Sequence, residues 1–460
     1  SRVQNYRYYA NLAVGLCEGP VAAIRRVWAD GRELDLTGIE MRFHRGTETQ
    51  QPDPLIEAKQ GEGNAPAYRG LAYVVFEHLP LDGFGNRIPV LQFEVLRPVG
   101  TLEKEIRSVV VIPGATEAGY ATEQVRERTG DGALAILNRH AMAAPTDWQA
   151  SLDELQALCP NLESVALVVT WFGTDLRAGH CRIVPGVEQG TREGESLPWQ
   201  VAGMNRAAAH LISRNNGGPA YGSTPSDRSV LQAIADLKAR GLKVLLYPFV
   251  MMDIAADNDL PDPYGGVRQA AYPWRGRIGL SPGSEDGTAA VTAEITAFCG
   301  AVTPSDFTVQ DGLSVYAGSD AGYRRLLLHY ARLAALAGGV DGFIIGSEMR
   351  RLTTLRDATG GFPFVDALMR LAEDVRGLVG PGTALTYAAD WSEYFGHHPG
   401  DGSGDVIFHL DPLWAHPDID AVGIDNYMPL SDWRDEDLAG ANPDGFRLCD
   451  DTVAMRTQVT

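Results

Sequence analysis

Acidic side chains recur in this chain just behind short apolar runs, with aromatic residues close by. Asp175 follows residues 165–171, Asp253 follows 243–252, Glu348 follows 340–347, and Asp425 follows 421–424. Behind residues 384–388 stands the run Asp390-Trp391-Ser392-Glu393-Tyr394. Trp171, Trp274 and Tyr427 supply further aromatic surface near these positions. This mixture suits a sugar. Aromatic rings cover the apolar C–H faces of a pyranose, while Asp, Asn and Glu bond the hydroxyl rim. Trp171, Asp175, Asp253, Trp274, Asp390, Trp391, Glu393, Asp425 and Tyr427 are therefore candidate substrate-binding residues, and Glu348 is the candidate catalytic residue.

Glu348 is singled out by position. Read as a buried parallel strand, residues 340–347 carry it just past their carboxyl end, the edge where the loops of a (β/α)₈ barrel converge. Burial beside Phe343 and Ile345 is expected to raise its pKa and keep it protonated as a general acid. The plainer readings are a helix cap or an ion pair with Arg350 or Arg351. Acids after strands also commonly cap helices. Glycoside hydrolysis with retention needs a second carboxyl about 5–5.5 Å away. Asp390, Glu393 and Asp425 are the candidates within the chain.

The elements that must position these groups form two regimes. Residues 1–105 alternate polar and apolar between turn signals: strands are expected near 21–29, 70–77 and 91–96, with a two-residue hairpin at Asp30-Gly31. No long amphipathic helix is expected there, so this is read as a mostly β domain for binding or assembly. From 106 onward, apolar strands alternate with helices, as in a parallel α/β fold. Strands are expected at 109–112 (the first of the barrel or the last of the β domain), 165–171, 243–252, 340–347, 384–388 and 421–424. Helices are expected from Thr146 to Leu158, from Ser226 or Asp227 to Arg240, at 321–337 and at 364–379. Residues 254–316 exceed a plain βα connection and are read as a solvated acidic loop. The fold class is thus mixed: a β domain over 1–105, then a TIM-barrel-like (β/α)₈ domain over 106–460 that lacks its last strands.

The bulk numbers exclude some functions. With 460 residues, 45% hydrophobic and 21% charged, the chain has the composition of a globular protein of two domains. A formal charge of −20 argues against a direct nucleic-acid face. No apolar run is long enough to span a bilayer. Five dispersed cysteines (Cys17, Cys159, Cys181, Cys299, Cys449) read as free thiols made in a reducing compartment. No metal or cofactor pattern stands out: His397-His398 reads as a loop, and Asp257, Asp259 and Asp262 lack calcium-loop spacing. The first residue is Ser1 and no signal peptide is evident, so a piece of a larger protein is expected.

Two stretches carry a family resemblance. Asn11-Leu12-Ala13-Val14-Gly15-Leu16-Cys17-Glu18-Gly19-Pro20, Tyr68-Arg69-Gly70-Leu71-Ala72-Tyr73 and Phe84-Gly85-Asn86-Arg87-Ile88-Pro89 resemble the tail-hub segment of phage tail-tip proteins. Tyr272-Pro273-Trp274-Arg275-Gly276-Arg277, Gly346-Ser347-Glu348-Met349 and Gly423-Ile424-Asp425-Asn426-Tyr427 resemble the glycoside-hydrolase-like barrel of the large baseplate protein of gene transfer agents. The resemblance implies a virion tail-tip location after assembly in the bacterial cytoplasm, and other baseplate or tail-hub proteins as partners. It also implies a homo-oligomeric ring and a barrel that binds, or cuts, cell-envelope glycan. More distantly the barrel is similar to clan A glycosidases, which implies an acid/base role for Glu348 and a nucleophile at the end of strand seven. That strand would lie beyond Thr460, leaving an open barrel, and Ser347 stands where the clan carries Asn. A different class remains: a cellular polysaccharide hydrolase with residues 1–105 as a carbohydrate-binding module.

Overall fold

The computed structural model describes residues 6–113, 117–429, 433–439 and 451–458. Gly114, Cys449 and much of the Gly- and Asp-rich stretch after Tyr427 lie outside them. The amino-terminal part builds two small antiparallel sheets. Strands β1 (Tyr9–Glu18), β3 (Glu40–His44) and β4 (Leu71–Pro80) form one, in the order β1-β4-β3, once β2 (Ala23–Ala29) has left for the other. There β2 pairs with β5 (Leu91–Leu96) and, across the expected turn, with Arg32–Glu33. Asp30 and Gly31 both take positive φ, +48° and +78°, as a two-residue hairpin demands. The sheets close on Val27, Val74, Phe76 and Leu79. A short helix, α1 (Pro54–Gln60), starts at buried Asp53, which also binds Arg42 and His44.

The rest is built on six parallel strands in chain order: β6 (Ser108–Val111), β7 (Ser164–Gly173), β8 (Lys243–Met252), β9 (Gly342–Ser347), β10 (Ala384–Asp390) and β11 (Gly423–Asp425). Each is paired to the next in parallel. Helices α2 (Asp147–Leu158), α3 (Asp227–Ala239), α4 (Ala289–Cys299), α5 (Tyr323–Leu336) and α6 (Pro363–Val379) accompany them. The helix starts follow local chemistry: Thr146 accepts from the Gln149 N–H and Ser226 from the Ser229 N–H. The expected strands and helices all form, and the sheet is a curled part-barrel with its helices on one side.

Period-two alternation divides each strand between two environments. On β7, Val165, Leu167, Val169 and Trp171 enter the large core beneath the helices, while Ala166 and Val168 join Tyr247, Ile344 and Ala388 on the concave face. That face opens into a cleft of about 460 Å³ that includes Val110, Ile112, Phe249, Asp425 and Tyr427. Residues 254–316 differ from the expected loop. Asp257 and Asp259 are solvated, but the segment also holds α4 and a hairpin, Phe307–Gln310 with Leu313–Tyr316. No helix among the described residues is long and apolar enough to cross a membrane.

Candidate active site

Glu348 is positioned by a break in β9. Pairing with β10 runs Ile344↔Thr386 and then Ser347↔Ala388, so β9 carries one extra residue. Such a bulge re-aims the residues after it. Gly346 makes it possible: its φ is +144°, and a Cβ there would lie 2.0 Å from the Tyr323 hydroxyl. Glu348 itself sits at φ +52°, a left-handed conformation that costs a non-glycine residue about 1–3 kcal/mol. Its N–H bonds the Ala388 carbonyl at 2.8 Å, and the next N–H, of Met349, donates to the Tyr387 hydroxyl at 2.8 Å. The surrounding fold therefore over-determines a strained position, as functional sites often do.

The Glu348 carboxyl is buried and unevenly satisfied. Trp274 Nε1 donates to Oε2 at 2.7 Å, and Arg275 Nη2 lies 2.9 Å from the same oxygen. Oε1 is buried with no hydrogen-bond partner among the described residues. Burial pushes the Glu348 pKa up; Arg275 and the Trp274 bond oppose this, and neighbouring Asp425 adds to the rise. The direction is the expected one. The ion pair is not: Arg275 holds Glu348, whereas the sequence pointed to Arg350 or Arg351.

Arg275 is the residue that sequence reasoning missed. Its Nε donates to the Ser347 carbonyl at 2.9 Å and its Nη2 to Ser347 Oγ at 2.5 Å. The guanidinium carbon lies 3.8 Å from the Phe249 ring centroid, a cation–π seat on the concave face. Ser347 Oγ is 2.7 Å from the Tyr247 hydroxyl, which is also 2.9 Å from Asp425 Oδ2. Burial and Asp425 both raise the Tyr247 pKa, so it stays a neutral donor. Ser347 is thus the centre of a polar network joining Arg275, Tyr247 and Asp425.

The other candidates divide. Asp425 and Tyr427 come to the Glu348 network; Tyr427 is exposed, and burial, Glu348 and Asp425 raise its pKa. Asp390 stands at the end of β10, where Oδ1 accepts from Ser392. Glu393 turns inward, accepting from Thr353 Oγ1 at 2.6 Å and the Asp390 N–H at 2.8 Å, and burial raises its pKa to about 7. Trp391 is half-buried on that turn.

Three candidates need correction. Trp171 has no exposed surface and lies beneath the helices, its indole N–H donating to the Tyr330 hydroxyl at 3.2 Å, so it offers no face to a sugar. Asp175 is buried and taken up by Arg177 and Gln269. Asp253 is taken up by His210 and by the Ser213 N–H and hydroxyl. These two acids brace loops. As for metals, Glu40, Glu77 and His78 lie within ligand spacing in the amino-terminal part, but Arg42 already bridges both carboxylates there.

Residues 321–460 match the family described as the GTA TIM-barrel-like domain. The family resemblance read from the sequence holds over this stretch. None of the curated proteins matches the chain. Among solved structures, it is similar to a GH113 β-1,4-mannanase complex at 15% identity, covering 59% of this chain and 54% of that one, with a TM-score of 0.28. The GH113 β-mannanase from Alicyclobacillus acidocaldarius, in complex with ManMIm, gives 15% identity, coverage of 60% and 55%, and a TM-score of 0.28. A chain from the virion of a native gene transfer agent particle gives 22% identity, coverage of 52% and 68%, and a TM-score of 0.22. The chain spans about half the length of the mannanases it matches.

Proposed function

We propose that this chain is a structural component of a gene-transfer-agent or phage-like particle whose part-barrel engages cell-envelope glycan at Glu348. The observation that carries the glycan reading is the Glu348 carboxyl itself. It is strained into a left-handed position, buried, held through Oε2 by Trp274 and Arg275, left without a donor on Oε1, and close enough to Asp425 to share a hydrogen bond with it when protonated. The family match over residues 321–460 supports the particle reading. In this reading the amino-terminal sheets, with Tyr8 and Tyr9 exposed on and beside β1, assemble into a ring with tail-hub partners at the tail tip.

Chemically, a carboxyl whose pKa is raised by burial can protonate a glycosidic oxygen, and that is the role assigned to Glu348. The proton would pass from Oε1, the oxygen not engaged by Trp274 and Arg275. Trp274 would fix the carboxyl while its ring faces a sugar. Asp425, the acid whose charge adds to the rise at Glu348, is the in-chain candidate for the second carboxyl. A second reading, in which glycan is held without being cut, is favoured by one feature: Arg275 pairs with Glu348 and draws it toward the ionised form.

The test is release of reducing ends from purified envelope glycan by the wild-type protein and by Glu348→Gln, with particle assembly scored in parallel. The proposal expects cleavage to vanish in the variant while assembly persists. Equal cleavage by both proteins would remove Glu348 from the mechanism. Binding without cleavage by either would leave the holding role.

A further inference from the structure

A second pocket, about 580 Å³ in volume, is also lined by Trp274. Its lining includes Tyr264, Arg277, Arg350, Arg351 and the pair His397-His398. None of these three arginines has an ion-pair partner among the described residues, although acids outnumber bases by 59 to 39 in the chain. Nearby Arg356 behaves in the ordinary way, paired with Asp286 and Asp401. Arg277 and Arg351 converge on Tyr264. The Arg277 guanidinium carbon lies 4.6 Å from that ring's centroid, the Tyr264 hydroxyl donates to the Arg277 carbonyl at 2.6 Å, and both arginines act on the hydroxyl's ionisation. The one lining carboxyl, Glu393, is buried and engaged by Thr353 and the Asp390 N–H, so it does not neutralise them. The imidazole of His397 adds an Nε2 buried without a partner.

We infer that this pocket is an anion-binding subsite next to the Glu348 site, and that the glycan taken here is acidic, carrying a carboxylate on a sugar unit beside the one at Glu348. The inference rests on the glycan reading above and adds the substrate class. Guanidinium forks match carboxylates in two-point geometry, and such charge-assisted bonds are the strong ones. Trp274 ties the two sites: its indole N–H holds Glu348 while the residue lines the arginine pocket. Trp274 is thus shared between the Glu348 carboxyl and the cationic pocket.

The test measures binding of tetragalacturonate, of a muramic-type glycan bearing lactyl carboxylates, and of neutral cellotetraose to the full chain, at low and high salt. The inference expects at least one acidic glycan to bind about tenfold or more tighter than the neutral one, with the preference shrinking in salt. The better acidic ligand tells a ring carboxylate from a lactyl one. Arg277→Gln and Arg351→Gln should each cost the acidic ligand about tenfold and leave the neutral one unchanged, with Arg351→Lys recovering part. Equal binding of neutral and acidic glycans overturns the acidic subsite but leaves the glycan reading standing. Binding of none overturns both. Should a variant fail to fold, the wild-type preference and its salt dependence still decide.

Discussion

The strand ends of β7 and β8 and the strand end of β9 begin from the same local pattern, an apolar run closed by an acid, and reach opposite states. At Asp175 burial favours the neutral form, but bonds from Arg177 and Gln269 outweigh it and bring the pKa below the usual carboxylate range. At Asp253 the bonds from His210 and Ser213 do the same. At Glu348 burial wins over Arg275 and Trp274, and the pKa rises. The backbone differs as well: the first two strands stay regular to their ends, whereas β9 bulges and Glu348 takes positive φ. A satisfied acid on a relaxed strand stabilises a loop. A half-satisfied acid on a strained one holds energy that the fold has to offset elsewhere, which is the mark of a working site.

The sharpest way to break this comparison is to exchange the outcomes. Glu348→Gln keeps the shape and removes the acid; glycan turnover should fall about 10²–10⁴-fold, while thermal unfolding shows only a small loss of stability, because Ser347 and the Phe249 ring still hold Arg275. Asp175→Ala should do the reverse. It leaves Arg177 and Gln269 without their acceptor, and denaturant unfolding should show a loss of about 2–4 kcal/mol, with glycan binding retained. If Glu348→Gln cost that much stability and Asp175→Ala abolished turnover, the two roles would have been assigned the wrong way round.

A third prediction uses pH. Glu393 sits at about 7 in the fold, above an ordinary glutamate, so between about pH 4.3 and 7 the folded state binds more protons than the unfolded one. Stability from this group is therefore complete at the acid end of that window and lost as pH rises through 7, by roughly 3–4 kcal/mol. Asp175 and Asp253, with lowered values, contribute in the opposite sense and lose their contribution on acidification below the ordinary carboxylate range. Denaturation midpoints across pH should flatten between about 5 and 8 in Glu393→Gln. A slope that survives the substitution would assign it to another group.

Much of the architecture was legible because it rests on local rules. Parallel strands buried on both faces read as continuous apolar runs, and Thr146, Ser226 and Gly241 mark helix ends by their own chemistry. Glu348 was legible for the same reason, as an acid just past the carboxyl end of an apolar strand. The fate of Trp171 was also within reach: it shares parity with Val165, Leu167 and Val169, so alternation sends it beneath the helices. What was not legible is long-range. Arg275 lies seventy-three positions before Glu348, in a segment read as solvated, and no periodicity reports that it folds back under Ser347. Arg177, next but one to Asp175, was in plain view, but whether an acid takes its near neighbour or stays open depends on burial that sequence does not give.

The smallest effect discriminates most finely between an acid held for use and one held for structure. Trp274→Phe keeps a ring against the pocket and removes only the Nε1–H that Oε2 accepts. That bond favours the ionised carboxyl, so losing it should move the Glu348 pKa further up, as an NMR titration of the carboxyl can follow with Glu348→Gln for assignment. If Glu348 acts as a general acid, the alkaline limb of the turnover profile moves to higher pH with it, and turnover at neutral pH changes by less than about tenfold. Trp391→Phe, on the turn after β10 rather than at the indole that bonds Glu348, should move neither. A carboxyl titration that is unmoved by Trp274→Phe would mean that the indole bond does not tune Glu348, and Arg275 alone would then set its charge against burial. A limb that moves while the titration does not would separate the acid from Glu348 altogether and return the search to Asp425.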